Sequence, residues 1–398
     1  MEEKKALVAM SGGVDSSVAV YLMKEKGYSP IGVTMMLHEN DEASTCGIHS
    51  CCTPNDIEDA RIVAAGLGVP FHVVNFIDGF KEKIIDNFIN TYLAGETPNP
   101  CIDCNKYMKF GRLFEMAEKE GCEKVVTGHY ATVEYDAEQD VFKLKRAKDQ
   151  TKDQTYVLYF LSQEQLSKLE FPLGVLEKTE ARNIAERAGI IVAQKHDSQD
   201  ICFVPDGDYA GYIEREAGKL AAQALESDDE KAGYFTDING KILGPHKGYY
   251  HYTIGQRKGL GIALGEPAYV VDIIPERNQV VLGTNDDLFS RRADANGFNL
   301  ISMPAEAYDI KDNPEVKDIK SYINELAQFE INLSEEDIIM RVTAKVRYRA
   351  KDTAGTLVLH SGGKATMLFD EPVRAVTPGQ SLVAYDGEYC IGGGIIVR

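Results

Sequence analysis

A glycine-rich segment, Ser11-Gly12-Gly13-Val14-Asp15-Ser16, joins an apolar run, Ala6 to Met10, to a helical pattern that ends near Gly27. At such a junction the glycines let backbone N–H groups and the helix N-terminus converge on an anion. The segment lacks the GK[ST] ending of a Walker A loop and the GxGxxG spacing of a dinucleotide fold. It predicts a phosphate-binding loop, although two glycines alone would also fit an ordinary strand-to-helix turn.

Short β-rich runs alternate with helical patterns through the first part of the chain. Strands are predicted at 31–37, 71–74 and 124–127, and helices from about 55, at 80–93 and at 111–120. This alternation predicts a doubly wound α/β domain with a parallel sheet, which we place at residues 1–207.

The pattern changes after Cys202. A hairpin signal at Asn239-Gly240 predicts a small central domain at 208–292, and period-2 strands, clearest from Met340 to Arg349, predict a C-terminal β-barrel at 293–398. Charged helical patterns near 305–337 predict an insertion before those strands.

Charge and cysteine usage narrow the function. The net charge of −19 disfavours a general polyanion-binding surface, so any cations that contact a nucleic acid must be local. The sequence shows no signal-peptide pattern and no clean apolar run of membrane-spanning length, so we expect a cytoplasmic protein with no membrane partner. In such a reducing compartment the eight cysteines are more typical of catalysis or metal binding than of a disulfide framework.

Two polar segments carry the most informative thiols. Cys101 and Cys104 lie in a Pro-bounded stretch beside Lys106, and Cys202 follows Asp197-Ser198-Gln199-Asp200-Ile201. Thiolates in polar loops near a cation are candidates for sulfur nucleophiles. Cys202 alone, between Ile201 and Phe203, would also fit a buried small hydrophobic residue.

The loop resembles the PP-loop of the ATP pyrophosphatase superfamily, whose fold is the adenine nucleotide alpha hydrolase-like one. The chain as a whole resembles the tRNA-specific 2-thiouridylase family (the MnmA type). The motifs that carry this resemblance occur in the family's order: Thr97-Pro98-Asn99-Pro100, Cys104-Asn105, Lys109-Phe110-Gly111, Thr127-Gly128-His129-Tyr130-Ala131, Lys152-Asp153-Gln154, Ile201-Cys202-Phe203, His251-Tyr252-Thr253-Ile254-Gly255-Gln256-Arg257-Lys258-Gly259-Leu260, Pro378-Gly379-Gln380 and Gly392-Gly393-Gly394.

The resemblance implies that sulfur is transferred to C2 of the wobble uridine 34 in tRNAs for Lys, Glu and Gln. ATP would be converted to AMP and pyrophosphate, with Mg²⁺ implied by the pyrophosphate product. A cysteine desulfurase or a sulfur-relay protein would supply the sulfur. Carried over by motif, Cys202 holds a persulfide, Cys104 is the nucleophile, and a Cys104–Cys202 disulfide is the oxidised product.

Cys101 departs from the commonest family pattern, which has a non-cysteine residue there. Cys101, Cys104 and Cys202 would supply the three thiolates of a [4Fe-4S] cluster with one open iron. The same three thiols with a fourth ligand would equally suit zinc, and Cys101 would also fit a spare loop thiol. A metal in the Cys46 to Cys52 segment is disfavoured, because adjacent cysteines seldom ligate one ion well.

The family pattern also implies binding residues. For ATP they are Ala9, Met10, Ser11, Gly12, Gly13, Val14, Asp15, Ser16, Met35 and Gly128, and for tRNA they are His129, Lys152, Asp153, Gln154, Arg347, Tyr348 and Gln380. A flipped-out wobble base is expected, because a stacked base cannot present C2 to both the loop and a thiol.

The residues themselves predict phosphate-backbone contacts at two basic stretches. One is the alternate face of the 340–349 run, and the other is the group Lys143, Lys145, Arg146, Lys148 and Lys152. These stretches would also fit a solvated strand face neutralised by neighbouring acids.

Two rival functions fit the sequence less well. A PP-loop ligase acting on a small molecule would need an ammonia-supplying domain or a carboxylate pocket, and the sequence shows neither. A tRNA-binding module with a vestigial nucleotide loop would not need the intact loop and three loop cysteines.

Overall fold

The protein is described by a computed structural model that covers residues 4–37, 53–195, 201–204, 206–216, 233–304, 307–309 and 317–398. These residues divide into two compact units. The first unit lies within residues 1–86, 100–207 and 388–391, and the second within 87–99, 208–387 and 392–398. The domain boundaries expected at 207/208 and 292/293 stay a prediction.

The first half of the chain alternates strands and helices, as its pattern predicts. In chain order the elements are β1 (Lys5–Ala9), α1 (Val14–Glu25), β2 (Ser29–Met36), α2 (Pro54–Gly66), β3 (Phe71–Asn75), α3 (Ile77–Phe80), a π-helical turn (Lys81–Ile85), α4 (Asp86–Leu93), α5 (Pro100–Asp103), a second π-helical turn (Cys104–Lys109), α6 (Phe110–Lys119), β4 (Lys124–Val126), β5 (Ala131–Asp136), β6 (Val141–Arg146), α7 (Gln163–Lys168), β7 (Leu169–Glu170) and α8 (Lys178–Arg187).

The first unit is built on a parallel sheet with the strand order β3-β2-β1-β4-β7. Ala6 and Val8 point to one face, where they share a core with α1, α2 and α8. Leu7 points to the other face and is also fully buried, and α6 contacts β1 on the sheet. Both faces are therefore covered, which confirms the doubly wound α/β fold.

The strand order places a switch point beside β1. The chain proceeds outward from β1 to β2 and β3, and then returns to β4 on the opposite side of β1. In open α/β sheets the crevice at such a point, at the carboxyl ends of the strands, is where ligands bind. The Ser11–Ser16 loop follows β1 and Thr127-Gly128 follows β4, so both open at this crevice.

A hairpin and one further strand segment complete the first unit. Strands β5 and β6 pair in an antiparallel ladder, and Tyr389 and Cys390 pair with Lys145 and Leu144 of β6.

The second unit consists mainly of antiparallel strands. Besides nearly all of α4, its elements are β8 (Tyr234–Asp237), β9 (Ile242–Pro245), β10 (Tyr269–Ile274), β11 (Gln279–Gly283), β12 (Phe289–Leu300), β13 (Ala307–Asp309), α9 (Lys317–Gln328), β14 (Ile338–Lys345), β15 (Thr353–His360), β16 (Lys364–Arg374), β17 (Ser381–Asp386) and the later part of β18 (Tyr389–Ile396).

These strands form a small sheet and a barrel. The sheet has the order β10-β11-β8-β9, and Asn239-Gly240 makes the predicted β8–β9 turn. Strands β12, β16, β15, β14, β17 and β18 follow one another around a barrel, which closes because β12 also pairs with residues 392–396 of β18. The central domain and the C-terminal barrel predicted from the sequence are confirmed.

Two local predictions need correction. The strand predicted from Met340 to Arg349 ends at Lys345, and 346–350 form a turn, so Arg347 and Arg349 do not continue the alternating face of β14. In the 305–337 segment the helix Lys317–Gln328 bears out the charged helical pattern, but 307–309 pair with β14 as a short strand. Among the described residues, no helix is long and apolar enough to cross a membrane.

Candidate functional site

The residue before the loop, Met10, is fixed to β2 by two hydrogen bonds. Met10 N–H donates to the Val33 carbonyl at 2.8 Å, and Thr34 Oγ1 donates to the Met10 carbonyl at 2.6 Å. Gly12 then adopts φ +70°, a left-handed conformation that favours glycine. A Cβ at position 12 would overlap the Asp56 carbonyl group, with the Asp56 Cα only 2.8 Å away. The N-terminus of α2 therefore packs directly on the loop.

Serine residues form hydrogen bonds where the loop continues into α1. Ser11 N–H donates to Ser16 Oγ at 3.1 Å, while Ser16 Oγ and Ser17 Oγ lie 3.1 and 2.8 Å from the Gly13 carbonyl. Gly13 is the N-cap residue of the 12-residue helix α1, and it has no side chain to accept from the first-turn amides. Those amides and the positive end of the helix dipole are suited to an anionic ligand.

Gly128 lies against the start of α1. A Cβ there would be 2.8 Å from the Ser16 amide nitrogen and 3.2 Å from Asp15 Cβ, so only glycine allows this approach. The structure thus brings Gly128 to the loop, as the family pattern implies. Met10, Val14 and Met35 are buried, and their roles in ATP binding stay predictions.

Asp15 is fixed by Lys178, which sequence reasoning missed, and by Tyr130, which belongs to a family motif but was given no role. Lys178 Nζ donates to both Asp15 carboxylate oxygens, at 2.8 and 2.7 Å, and Tyr130 Oη donates to Asp15 Oδ1 at 2.9 Å. Lys178 lies 163 residues along the chain from Asp15, in the first turn of α8, so no local pattern signals the pair.

A second missed cation contacts the loop at Gly12. Lys195 Nζ donates to the Gly12 carbonyl at 3.1 Å and to Asp56 Oδ1 and Asp59 Oδ2 at 2.6 Å each. Burial opposes the charge on Lys195, but the hydrogen bonds to Asp56 and Asp59 outweigh it, so the Lys195 pKa is raised. The ammonium therefore stays charged beside the loop.

The two cysteine segments predicted to act together pack on the same short helix, α3. Met108, in the π-helical turn that begins at Cys104, lies against Gly79 of α3. Phe203, the residue after Cys202, makes an edge contact with Phe80 of α3, with ring centroids 5.8 Å apart. Cys104 and Cys202 are each half-buried and Cys101 is exposed.

The same cysteines do not form a metal site. Across the part of the chain that the structure describes, no three His, Cys, Asp or Glu side chains are grouped so as to hold a metal ion. Among the described residues, Cys101, Cys104 and Cys202 are therefore not grouped as the ligands of a [4Fe-4S] cluster or of zinc. The Cys46 to Cys52 segment lies outside the described residues.

Several residues expected to contact tRNA are buried in the first unit. His129 has 7% of its surface exposed, between the rings of Phe110 and Phe171, and its Nδ1 lies 2.7 Å from Thr127 Oγ1. Burial, and secondarily the charge of Lys109, holds the His129 pKa well below its usual range. This neutral imidazole supports the Thr127-Gly128 segment from within.

The Lys152-Asp153-Gln154 turn is also packed inward. Asp153 is buried, and its carboxylate accepts from Thr155 Oγ1 at 2.8 Å and lies 3.9 Å from Arg146. Gln154 Oε1 accepts from the Tyr130 amide at 2.9 Å. Lys152 is half-buried.

The expected tRNA residues of the second unit are placed differently from one another. Arg347 donates to the Ile254 carbonyl at 2.7 Å and to Thr377 Oγ1, whereas Tyr348 is 38% exposed. Gln380 Nε2 donates to the Thr97 and Pro98 carbonyls, at 2.9 and 3.1 Å, and so holds the segment that leads to Cys101.

Most cations of the two predicted basic stretches are paired with acids. Lys143 pairs with Asp136, Lys145 with Glu134 and Lys148 with Glu180, while Arg341 makes a two-pronged contact with Asp370. These pairings favour the interpretation of neutralised strand faces at these positions. Arg349, in the turn after β14, is exposed.

Comparison with known proteins covers almost the whole chain. Family profiles match at residues 4–206 (tRNA methyl transferase HUP domain), 225–284 (tRNA methyl transferase PRC-barrel domain) and 323–396 (aminomethyltransferase beta-barrel domain). The tRNA-specific 2-thiouridylase MnmA of Clostridioides difficile (strain 630) is 45% identical over 99% of this chain and 98% of its own length. MnmA 1 of Thermoanaerobacter sp. (strain X514) is 46% identical over 100% and 99%.

The chain belongs to the tRNA-specific 2-thiouridylase (MnmA) family. Membership of this family makes it a tRNA sulfurtransferase with a PP-loop nucleotide site, as its motifs imply. A solved 4-thiouridine synthetase–RNA complex with bound ATP is a more distant neighbour, with 19% identity, a TM-score of 0.31 and coverage of 55% of this chain and 52% of that one.

The packing at Gly12 predicts a sharp difference between the two loop glycines. Gly12→Ala forces a Cβ onto the Asp56 carbonyl in a left-handed conformation, so ATP binding should weaken by roughly tenfold or more as the loop shifts. A Cβ at position 13 would meet only Ser11 Oγ, at 3.5 Å. Gly13→Ala should therefore lower the free energy of unfolding by no more than about 1 kcal/mol. ATP titration and thermal unfolding of both variants check this; unchanged ATP affinity in Gly12→Ala would contradict it.

The buried His129 predicts a pH dependence of stability. Its folded pKa lies below its unfolded value, so the unfolded chain alone takes up the proton as the pH falls below about 6.5. Stability should therefore fall on acidification from pH 7 to about 5, by up to about 1.4 kcal/mol per pH unit from this group. Unfolding midpoints across this range should depend less steeply on pH in His129→Asn than in the native protein. Equal slopes in the two proteins would refute the assignment.

Proposed function

We propose that this chain thiolates C2 of the wobble uridine 34 in tRNAs for Lys, Glu and Gln, with conversion of ATP to AMP and pyrophosphate. The observation that carries the proposal is that the first unit contains both a loop suited to an anion, at the switch point, and the two cysteine segments. A loop suited to an anion follows β1, the Gly128 segment packs against it, and both cysteine segments pack on one helix of the same unit.

The first step follows from the chemistry of the base. The C2 oxygen of uracil is a poor leaving group, so it must first become part of a phosphoester. This oxygen attacks the α-phosphorus of ATP, and pyrophosphate leaves. The loop amides and the α1 N-terminus are suited to hold the departing phosphates. Mg²⁺ would neutralise further charge on them.

The second step replaces the adenylate by sulfur. The terminal sulfur of a Cys202 persulfide attacks C2, and AMP leaves with the original oxygen. The Cys104 thiolate then attacks the inner sulfur of Cys202, which breaks the S–S bond, leaves the thiocarbonyl on the base and forms a Cys104–Cys202 disulfide. A thiol reductant must supply two electrons to reopen that disulfide. A cytoplasmic cysteine desulfurase, directly or through a relay protein, would restore the persulfide.

The shared packing on α3 supports this pair of roles. Because Met108 and Phe203 contact adjacent residues of one helix, the Cys104 and Cys202 segments approach the same part of the unit. The half-buried state of both residues suits thiols that must be shielded between turnovers and yet exchange with a partner. The proposed reaction uses no metal cluster, because the described cysteines are not grouped as ligands of a metal ion.

The residues expected to contact tRNA are proposed to have direct or indirect roles according to how exposed their side chains are. Tyr348 and Lys152 are proposed to contact the RNA directly, and Arg349 joins them as an exposed cation. The remaining positions are proposed to act by holding the surrounding backbone through the hydrogen bonds described above: His129, Asp153, Gln154, Arg347 and Gln380.

Single cysteine substitutions test the sulfur chemistry. Cys104→Ser and Cys202→Ser should lower 2-thiouridine formation by about 100-fold or more, because each removes one of the two exchanging sulfurs. Both should retain tRNA-dependent exchange of pyrophosphate into ATP, which reports only the first step. Mass spectrometry of the tRNA nucleosides measures the product.

Cys101→Ser is the matched variant. It should retain thiolation within roughly threefold of the native protein, because the persulfide route needs only two thiols. Loss of activity in Cys101→Ser, together with iron and labile sulfide in the anaerobically purified protein, would instead favour a [4Fe-4S] mechanism. Absence of 2-thiouridine from the native protein, with ATP consumed on a small molecule, would favour a PP-loop ligase.

Arg349→Glu tests the RNA surface without disturbing the interior contacts of Arg347. Reversing this exposed charge should weaken tRNA binding by roughly tenfold at low salt and leave ATP binding unchanged. The difference should shrink as salt rises. Lys364→Glu, an equally large charge change at another exposed position of the second unit, is the control and should have a smaller effect. Equal tRNA affinity in Arg349→Glu and the native protein would remove Arg349 from the interface.

A further inference from the structure

Lys195 is a cation beside the phosphate loop that the proposed reaction does not use. Its ammonium reaches three acceptors at once: the Gly12 carbonyl inside the loop and one carboxylate oxygen each of Asp56 and Asp59 on α2. The backbone of Lys195 is anchored, because its amide donates to the Val192 carbonyl at 2.9 Å and Val192 and Ala193 belong to the core. The side chain therefore reaches the loop from a fixed base.

Asp56 links the Lys195 ammonium to the loop. Its Oδ2 accepts from the Thr53 amide at 2.9 Å and so caps α2, its Oδ1 holds Lys195, and its carbonyl blocks any side chain at Gly12. Asp56 thus connects the cap of α2, the Lys195 ammonium and the loop. Replacing the Lys195 side chain would therefore alter the packing at Gly12.

Charge gives Lys195 a second effect. Asp56 and Asp59 bring two carboxylates beside a loop suited to an anion, which would repel the phosphates of a nucleotide. Lys195 cancels one of these two charges. Asp56 is largely buried, so solvent screens its charge only weakly.

We propose that Lys195 is a positioning residue for the nucleotide. It holds the Gly12 carbonyl by a hydrogen bond, which keeps that oxygen directed away from the anion site, and it cancels one of the two negative charges of the acidic pair on α2, so that the loop can accept phosphates. Lys195 does this through the loop and the acids, without contact to ATP. The inference rests on nucleotide binding by the loop, and not on the sulfur chemistry.

Compensating variants separate this role from a merely structural one. Lys195→Met should raise the dissociation constant of Mg·ATP by roughly tenfold or more, because it leaves the acidic pair uncancelled. In the double variant Lys195→Met/Asp59→Asn the net charge of the cluster returns to its native value, and ATP affinity should recover by at least half of the loss on a logarithmic scale. Lys195→Arg should stay closer to the native protein than Lys195→Met.

The readouts are calorimetric titration of the full-length protein with Mg·ATP at two salt concentrations, and thiolation kinetics at varied ATP. We expect the KM for ATP to rise in Lys195→Met while kcat at saturating ATP stays within roughly threefold, and the affinity difference to narrow at high salt. Native ATP affinity in Lys195→Met would overturn the proposal. An unrescued double variant would do the same, because a purely structural contact is not restored by removing a second partner.

Asp59→Asn in the otherwise native chain keeps the proposal testable if Lys195→Met does not fold. Removing this partly exposed carboxylate should leave Mg·ATP binding as tight as in the native protein or tighter, and weaker binding would overturn the proposal. The native protein is the reference throughout. If it binds Mg·ATP but makes no 2-thiouridine, the proposed function fails while this inference stands; if it binds no ATP, both fail.

Discussion

The close packing of Gly12 on the Asp56 carbonyl is the contact on which the rest of the site depends. A left-handed glycine with no space for a side chain lets the chain turn from β1 into α1 while the start of α2 closes against it. Because of that turn, the first amides of α1 face a position where no side chain caps them. On the other side, Gly128 follows β4 and meets the same helix start. Three segments separated in sequence therefore meet around a loop that is suited to an anion, at the switch point of the sheet.

Electrostatics explains how so acidic a chain can act on two polyanions. With a net charge of −19, the protein cannot rely on a broad positive surface, and most cations of its basic stretches are paired with acids across strands. Near the loop, however, lysines act locally: Lys178 holds Asp15, and Lys195 holds the Gly12 carbonyl and two aspartates. Each of these two lysines binds specific neighbouring groups, and because the contacts are partly buried, dissolved salt screens them only weakly.

The sequence predicted those parts of the fold and site that depend on neighbours in the chain. The strand, the glycine turn and the helix at 6–27 follow from hydrophobic spacing and from the conformational freedom of glycine, and the β8–β9 turn follows from Asn239-Gly240. The family motifs added Gly128, which tertiary packing brings to the loop. What the sequence could not predict depends on distant partners. Lys178 and Lys195 reach the loop from 163 and 183 residues away, and an isolated Lys in a helix or a turn gives no sign of its acceptor. Alternation alone carried the predicted strand past Lys345 to Arg349, although the chain turns there. These features depend on how distant segments of the chain pack together, and the hydrophobic periodicity of the sequence carries no information about that.

The central claim is that ATP activates the base by taking its C2 oxygen as an adenylate, before sulfur replaces that oxygen. Isotope transfer tests it most directly: a tRNA whose uridine 34 carries oxygen-18 at O2 is incubated with the protein, ATP and a persulfide source, and the released nucleotide is weighed by mass spectrometry. The account predicts one heavy oxygen in AMP for each 2-thiouridine formed. Thiolated tRNA accompanied by unlabelled AMP, or by ADP and phosphate, would contradict it.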